Sequence, residues 1–205
     1  MSEQNLDNET EEKIIQAARE VFLEKGFDGA RMQNISERAG INKSLLHYYF
    51  RSKDNLFDKI YLESAKKLFP QISEILAEKE IDFMAKIKKF IKFYIEMICQ
   101  NPLLPIFILR EINAGSERVE FIVNSNLGDK LKAFLYEIQA AIDAKIIRPI
   151  DPRHLIMSVM SMCIFPFPAK PIFQKQFGMN DAEYFQFLID RIPSVQDFII
   201  NAIKA

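Results

Sequence analysis

The chain has 205 residues, 49% of them hydrophobic and 18 of them Phe, which is enough apolar surface for one large or two small buried cores and too much for a disordered polymer. Lys plus Arg number 27 against 28 Asp plus Glu, for a net charge of -1, so bulk charge gives no hint of a nucleic-acid partner. No stretch reaches the roughly 18 apolar residues of a membrane span and no basic-then-apolar signal opens the chain, so the expected location is the cytoplasm.

Residues 1–12 carry five acids (Glu3, Asp7, Glu9, Glu11, Glu12) and no base; residues 1–9 read as a disordered acidic tail. Thr10 is placed to cap a first helix, with Glu11 and Glu12 at the positive end of its dipole and a stop before Gly26. Ile14, Ala18, Val21 and Phe22 form its buried stripe. A second helix over about 32–39 puts Met32, Ile35 and Ala39 on one face but has no capping residue ahead of it. A third starts from Asn42, a good N-cap, with Leu46 and Phe50 inward. Gly40-Ile41-Asn42 thus joins two short amphipathic helices, the layout of a helix-turn-helix whose second helix reads DNA. Charge supports this locally: residues 25–53 hold six bases (Lys25, Arg31, Arg38, Lys43, Arg51, Lys53) against Asp28 and Glu37.

A fourth helix begins near Lys53 with Leu56, Ile60, Leu68, Ile72 and Ile75 along one stripe. Pro70 should kink it, making it a connector between domains. Asp82 caps a helix over about 83–100, with Ile87, Phe90, Ile91, Tyr94 and Ile98 inward and Lys86, Lys88, Lys89 and Lys92 mostly outward as a solvated face. Asn101-Pro102 opens a short helix ending near Gly115. A long helix follows, interrupted around Asn126 to Gly128, with Leu131, Phe134, Leu135, Ile138 and Ile142 in a 3.6-residue rhythm. Asp151-Pro152 starts another, through about Cys163. Pro166, Pro168 and Pro171 in FPFPAKPIF forbid a regular helix next. The last segment, 181–203, places Phe185, Leu188, Ile189, Ile192, Val195 and Ile199 on one face, with a kink at Pro193. No strand alternation or hairpin signal appears, so the fold is expected to be all-α, with about nine helices. Cys99 and Cys163 lack metal-site spacing and read as buried, inert thiols; no metal or cofactor is indicated.

The run IIQAAREVFLEKGFDGARMQNISERAGINKSLLHYYFRSKDNLF, with Ala17-Ala18, Phe22, Gly26-Phe27, Ile35, Ala39-Gly40, Leu46, Phe50, Ser52-Lys53 and Leu56 in register, resembles the DNA-binding domain of TetR/AcrR-family transcriptional regulators. Residues 147–152 (IRPIDP) are similar to the segment leading into that family's penultimate helix. The resemblance implies a DNA-binding domain over 10–54 and an effector-binding and dimerisation domain over 55–205. It puts Gln33, Lys43, Ser44 and Leu45 at base-facing positions and His47, Tyr48, Tyr49 and Lys53 at phosphate-facing ones. Arg31, ahead of the uncapped second helix, joins the phosphate group. Ser44, Leu45 and His47 depart from the family's usual residues, as does Lys145, which stands where a glycine is common.

The implied partners are an operator in double-stranded DNA, a small apolar or amphipathic effector and a second copy of the chain. One such domain makes too small a footprint for tight specific binding, so a two-fold dimer on a palindrome is expected. The last two helices offer spare apolar positions for it: Ile156, Met160, Phe185, Leu188, Ile192 and Ile199. The family holds its effector among the middle helices, where Phe69, Phe93, Met97, Phe107, Phe121 and Phe134 suit an apolar wall and Arg110 a ligand carboxylate. Catalysis is not expected: the histidines are His47 and His154, neither beside a nucleophile, and no GxSxG, HExxH or phosphate-loop pattern occurs. The alternatives are a helical small-molecule or lipid carrier, which leaves the basic segment unexplained, and a DNA-binding activator or nucleoid protein.

Overall fold

A computed structural model describes residues 3–105 and 126–205, which form ten helices and no sheet. They are α1 (Glu3–Gly29), α2 (Met32–Ala39), α3 (Lys43–Tyr49), α4 (Lys53–Ala77), α5 (Phe83–Gln100), α6 (Asn126–Asp143), α7 (Pro152–Ile164), α8 (Lys170–Phe177), α9 (Asp181–Asp190) and α10 (Ile192–Ile203). The chain divides into two compact units, Met1–Lys66 and Lys67–Ala205. The division falls within α4, four residues before Pro70, whose missing N–H leaves the Lys66 carbonyl without its helical donor.

In the first unit α1 begins at Glu3, so Thr10 lies inside the helix rather than at its start. The expected acidic tail is instead its first turns, and Asp7 there accepts a hydrogen bond from Tyr49. Gly26 breaks α1 as the sequence predicts, at φ 68° and ψ 173°, a conformation reserved for glycine. Ile14, Ala18, Val21 and Phe22 of α1, Ile35 of α2, Leu46 of α3 and Leu56, Phe57 and Ile60 of α4 make one core. Phe57 packs edge-on against Phe22 and Phe27, at 5.0 and 4.8 Å between ring centroids.

The second unit is built around α5, against which α7, α9 and α10 pack. Ile87, Ile91, Tyr94, Ile95 and Ile98 are its buried face, and the Asp82 carboxylate caps it by accepting from the Ala85 N–H at 2.9 Å. One lysine departs from the expected solvated face. Lys86 is 1% exposed, and its ammonium donates to both carboxylate oxygens of Glu137 on α6 at 2.7 and 2.8 Å. The partner lies 51 positions away, so helical periodicity alone sends the charge outward.

Expectations about helix breakers also change. α6 runs unbroken through Gly128. Pro171 opens α8 rather than forbidding it, because a proline in the first turn removes an N–H that has no helical partner anyway. The last segment is two helices parted at Arg191, with Pro193 in the first turn of α10. The Arg148 N–H donates to the Ile203 carbonyl at 2.9 Å, tying the end of the chain to the segment before α7. The helix expected from Asn101 lies mostly outside the described residues.

Candidate functional site

The helix-turn-helix is set by two local devices. α2 ends at Gly40 in the left-handed region (φ 68°, ψ 31°), where the Gly40 N–H donates to Glu37 and the Ile41 N–H to Ser36 at 3.2 and 3.0 Å. α3 starts at Asn42, whose side chain accepts from the Leu45 N–H at 2.8 Å. Leu46 is fully buried, which fixes the roll of α3 and leaves Lys43, Ser44, His47 and Tyr48 exposed with Leu45 half-buried. Tyr48 stands 77% exposed, far more than a core tyrosine would. No side-chain cap holds the start of α2, and Arg31 is exposed there.

The bases divide into two groups. Arg38 grips Glu24 with two hydrogen bonds of 2.9 and 2.8 Å and Glu20 with a third of 3.0 Å, which holds the Glu24 carboxyl below its ordinary range. It braces α2 on α1. Lys53 donates to the Phe27 and Ala30 carbonyls at 2.7 and 3.1 Å and lies 4.2 Å from the Phe27 ring centre; its ammonium closes the end of α1. By contrast Arg31, Lys43 and Arg51 make no ion pair with any described residue, and all three are exposed. Arg51 carries no role in the sequence analysis, although its place two residues past α3 is a signal for one. Gln33 donates to Glu37 at 2.8 Å and must release it to reach a base. His47 Nδ1 is 3.3 Å from the Arg51 carbonyl. The Tyr49 hydroxyl donates to Asp7 at 2.6 Å, and that bond raises its pKa.

The described effector candidates lie in separate places. Phe107, Arg110 and Phe121 lie outside the described residues. Phe134 stacks on Phe83 at 6.0 Å and lines an apolar cavity of about 40 Å3 with Phe90 and Leu131. Phe93 lines an open surface depression between α4 and α5, Phe69 is half-buried, and Met97 is core.

The dimer candidates need correction too. Leu188, Ile192 and Ile199 are 2, 6 and 3% exposed, part of the core around α5, so they have no surface to offer a second copy. Ile156 and Met160 line the Phe134 cavity, and Phe185 is half-buried with the Lys170 ammonium 4.8 Å above its ring. The apolar side chains these helices do expose are Met157, Phe165, Phe187 and Phe198. Cys99 is half-buried rather than buried; burial pushes its thiol up to about 11 and that of Cys163 to about 12, so neither is a ready nucleophile. No helix among the described residues is long and apolar enough to cross a membrane.

Residues 14–60 match the family model of bacterial regulatory proteins of the tetR family. The HTH-type transcriptional regulator RutR of Escherichia coli is 29% identical over 199 residues, spanning 93% of this chain and 89% of that protein. IcaR of Staphylococcus epidermidis, a negative transcriptional regulator of a biofilm operon, is 25% identical over 146 residues, 71% of this chain and 72% of its own. Among solved structures the hemolysin II transcriptional regulator HlyIIR has the same fold, with a TM-score of 0.66 at 21% identity over 97% of this chain and 98% of that one.

Proposed function

This chain belongs to the TetR family of DNA-binding transcriptional regulators, and from that premise we propose that it is a repressor that binds a palindromic operator as a homodimer and leaves it when a small apolar or amphipathic effector binds. The observation that carries the DNA part is the exposed charge of Lys43 on the first turn of α3, which no described residue pairs, with Arg31 and Arg51 to either side in the sequence. Lys43 suits guanine O6 or N7, and the half-buried Leu45 suits a thymine methyl. Arg31, Arg51, His47 and Tyr48 suit phosphate, which positions the helix without reading sequence. Repression is favoured by the name of the relative IcaR, a negative regulator.

In this reading the effector biases α4, whose continuous helix enters both compact units. A ligand that prefers one arrangement of that helix shifts the population, and with it the spacing of the two recognition helices in a dimer. The test is a reporter placed behind an operator recovered by selection. Its transcript should fall when the protein is present and recover with an amphipathic ligand. A transcript that rises on adding the protein would make it an activator, and sedimentation as a monomer at micromolar concentration would remove the dimer.

A further inference from the structure

We propose that Asp7 is an autoinhibitory latch on the DNA-binding surface: its carboxylate holds the Tyr49 hydroxyl that an operator phosphate would otherwise take, so DNA must break this contact to complete its own. The inference rests on the functional reading above and deepens it, by naming a competitor for the DNA backbone inside the chain itself.

α1 extends beyond the core it covers. Its buried stripe begins at Ile14, which is also where the family match begins, yet the helix starts at Glu3. Asp7 lies two turns ahead of Ile14 on the same face, and that face meets the end of α3. The Tyr49 hydroxyl donates to Asp7 there at 2.6 Å, the short distance of a charge-assisted bond. Thr10, about one turn further along α1, hydrogen-bonds the same side chain. Glu11 pairs with Lys59 of α4 at 2.7 Å, so the extension has a separate contact to hold it down. No cation among the described residues pairs with Asp7, and its charge stands exposed beside the recognition helix. The contact therefore belongs to this chain's own addition to the family's domain.

A phenol has one proton to donate, and an ionised carboxylate can only accept. While Asp7 holds that proton, Tyr49 has none for a phosphate, and a phosphate brought to the same hydroxyl meets a second negative group. The neighbouring phenol is the contrast. Tyr48, whose ring lies 5.4 Å from that of Tyr49, is 77% exposed and its hydroxyl has no hydrogen-bond partner among the described residues. Of two adjacent tyrosines, one is free for DNA and one is held.

A double-mutant cycle on the full chain tests the latch, with operator affinity measured by fluorescence anisotropy at low salt. Asp7→Ala should tighten binding about three- to tenfold, the size expected for one exposed charge and one hydrogen bond. The same substitution should gain clearly less in a Tyr49→Phe background and its full amount in a Tyr48→Phe background. A second measurement needs no substitution: the Tyr49 ring resonance of the unaltered chain should move when operator is added, because its hydroxyl changes partner. Unchanged affinity in Asp7→Ala would overturn the latch. So would an equal gain in the Tyr49→Phe background, which would reduce Asp7 to plain charge repulsion, or a Tyr49 resonance that ignores the operator. Each of these leaves the functional reading in place; a chain that binds no duplex of any sequence removes both.

Discussion

Lys43 and Lys53 both belong to the basic stretch that marks the DNA-binding segment, but the structure separates their roles. Lys43→Ala should weaken operator binding by roughly 1–3 kcal/mol and relax preference at one base position if the ammonium reads a base. Lys53 is held by two carbonyls and the Phe27 ring, so Lys53→Ala should lower stability by about 1–2 kcal/mol. The salt dependence of DNA binding should stay unchanged in that variant; a slope reduced by about one would return Lys53 to a phosphate. Asp7 is the third informative residue. Its carboxylate holds the Tyr49 hydroxyl and adds negative charge beside the recognition helix, so Asp7→Asn should raise operator affinity, read by fluorescence anisotropy at low salt. Unchanged affinity would mean that Tyr49 faces α1 only. These distinctions were not legible in sequence because a lysine's partners are carbonyls and carboxylates set by tertiary packing. The exposed first turn of α3 was legible, because Leu46 and Phe50 alone decide which side of so short a helix turns inward.

At the scale of elements, what the sequence made plain was local. Asn42, Asp82 and Asp151 cap α3, α5 and α7 as their positions suggest, since a cap involves only the next three residues. Lys145 ends α6 at φ 57°, the left-handed region that a glycine would occupy without strain. Lys145→Gly should therefore stabilise the second unit by about 0.5–1 kcal/mol, and Gly40→Ala, which forces a side chain into the same region, should cost the first unit about 1 kcal/mol. Thermal unfolding reads both. The pairing of α5 with α6 through Lys86 and Glu137 was invisible for the opposite reason, its great sequence separation. Glu137→Ala leaves the buried ammonium with the Leu76 carbonyl at 3.4 Å and should cost about 1–3 kcal/mol, while Lys86→Met, which removes the charge and keeps the bulk, should cost clearly less. Equal losses would mean that the pair acts through packing alone. The dimer positions misread in α9 and α10 share one cause: an apolar stripe shows which side of a helix is covered and leaves open whether the cover is its own chain. Here α5 packs against both helices, and Leu188, Ile192 and Ile199 are buried within their own chain.

For the whole molecule, the central claim is that two copies of α3 present Lys43, Ser44 and Leu45 to paired half-sites. Selection of bound fragments from a random pool of double-stranded DNA tests it most directly. The full chain should enrich an inverted repeat whose half-sites are spaced by whole helical turns, about 10 base pairs or a multiple from centre to centre. The Lys43→Ala variant should lose preference at one symmetric pair of positions. Enrichment of a single unrepeated site, or of no sequence at all, would contradict the account.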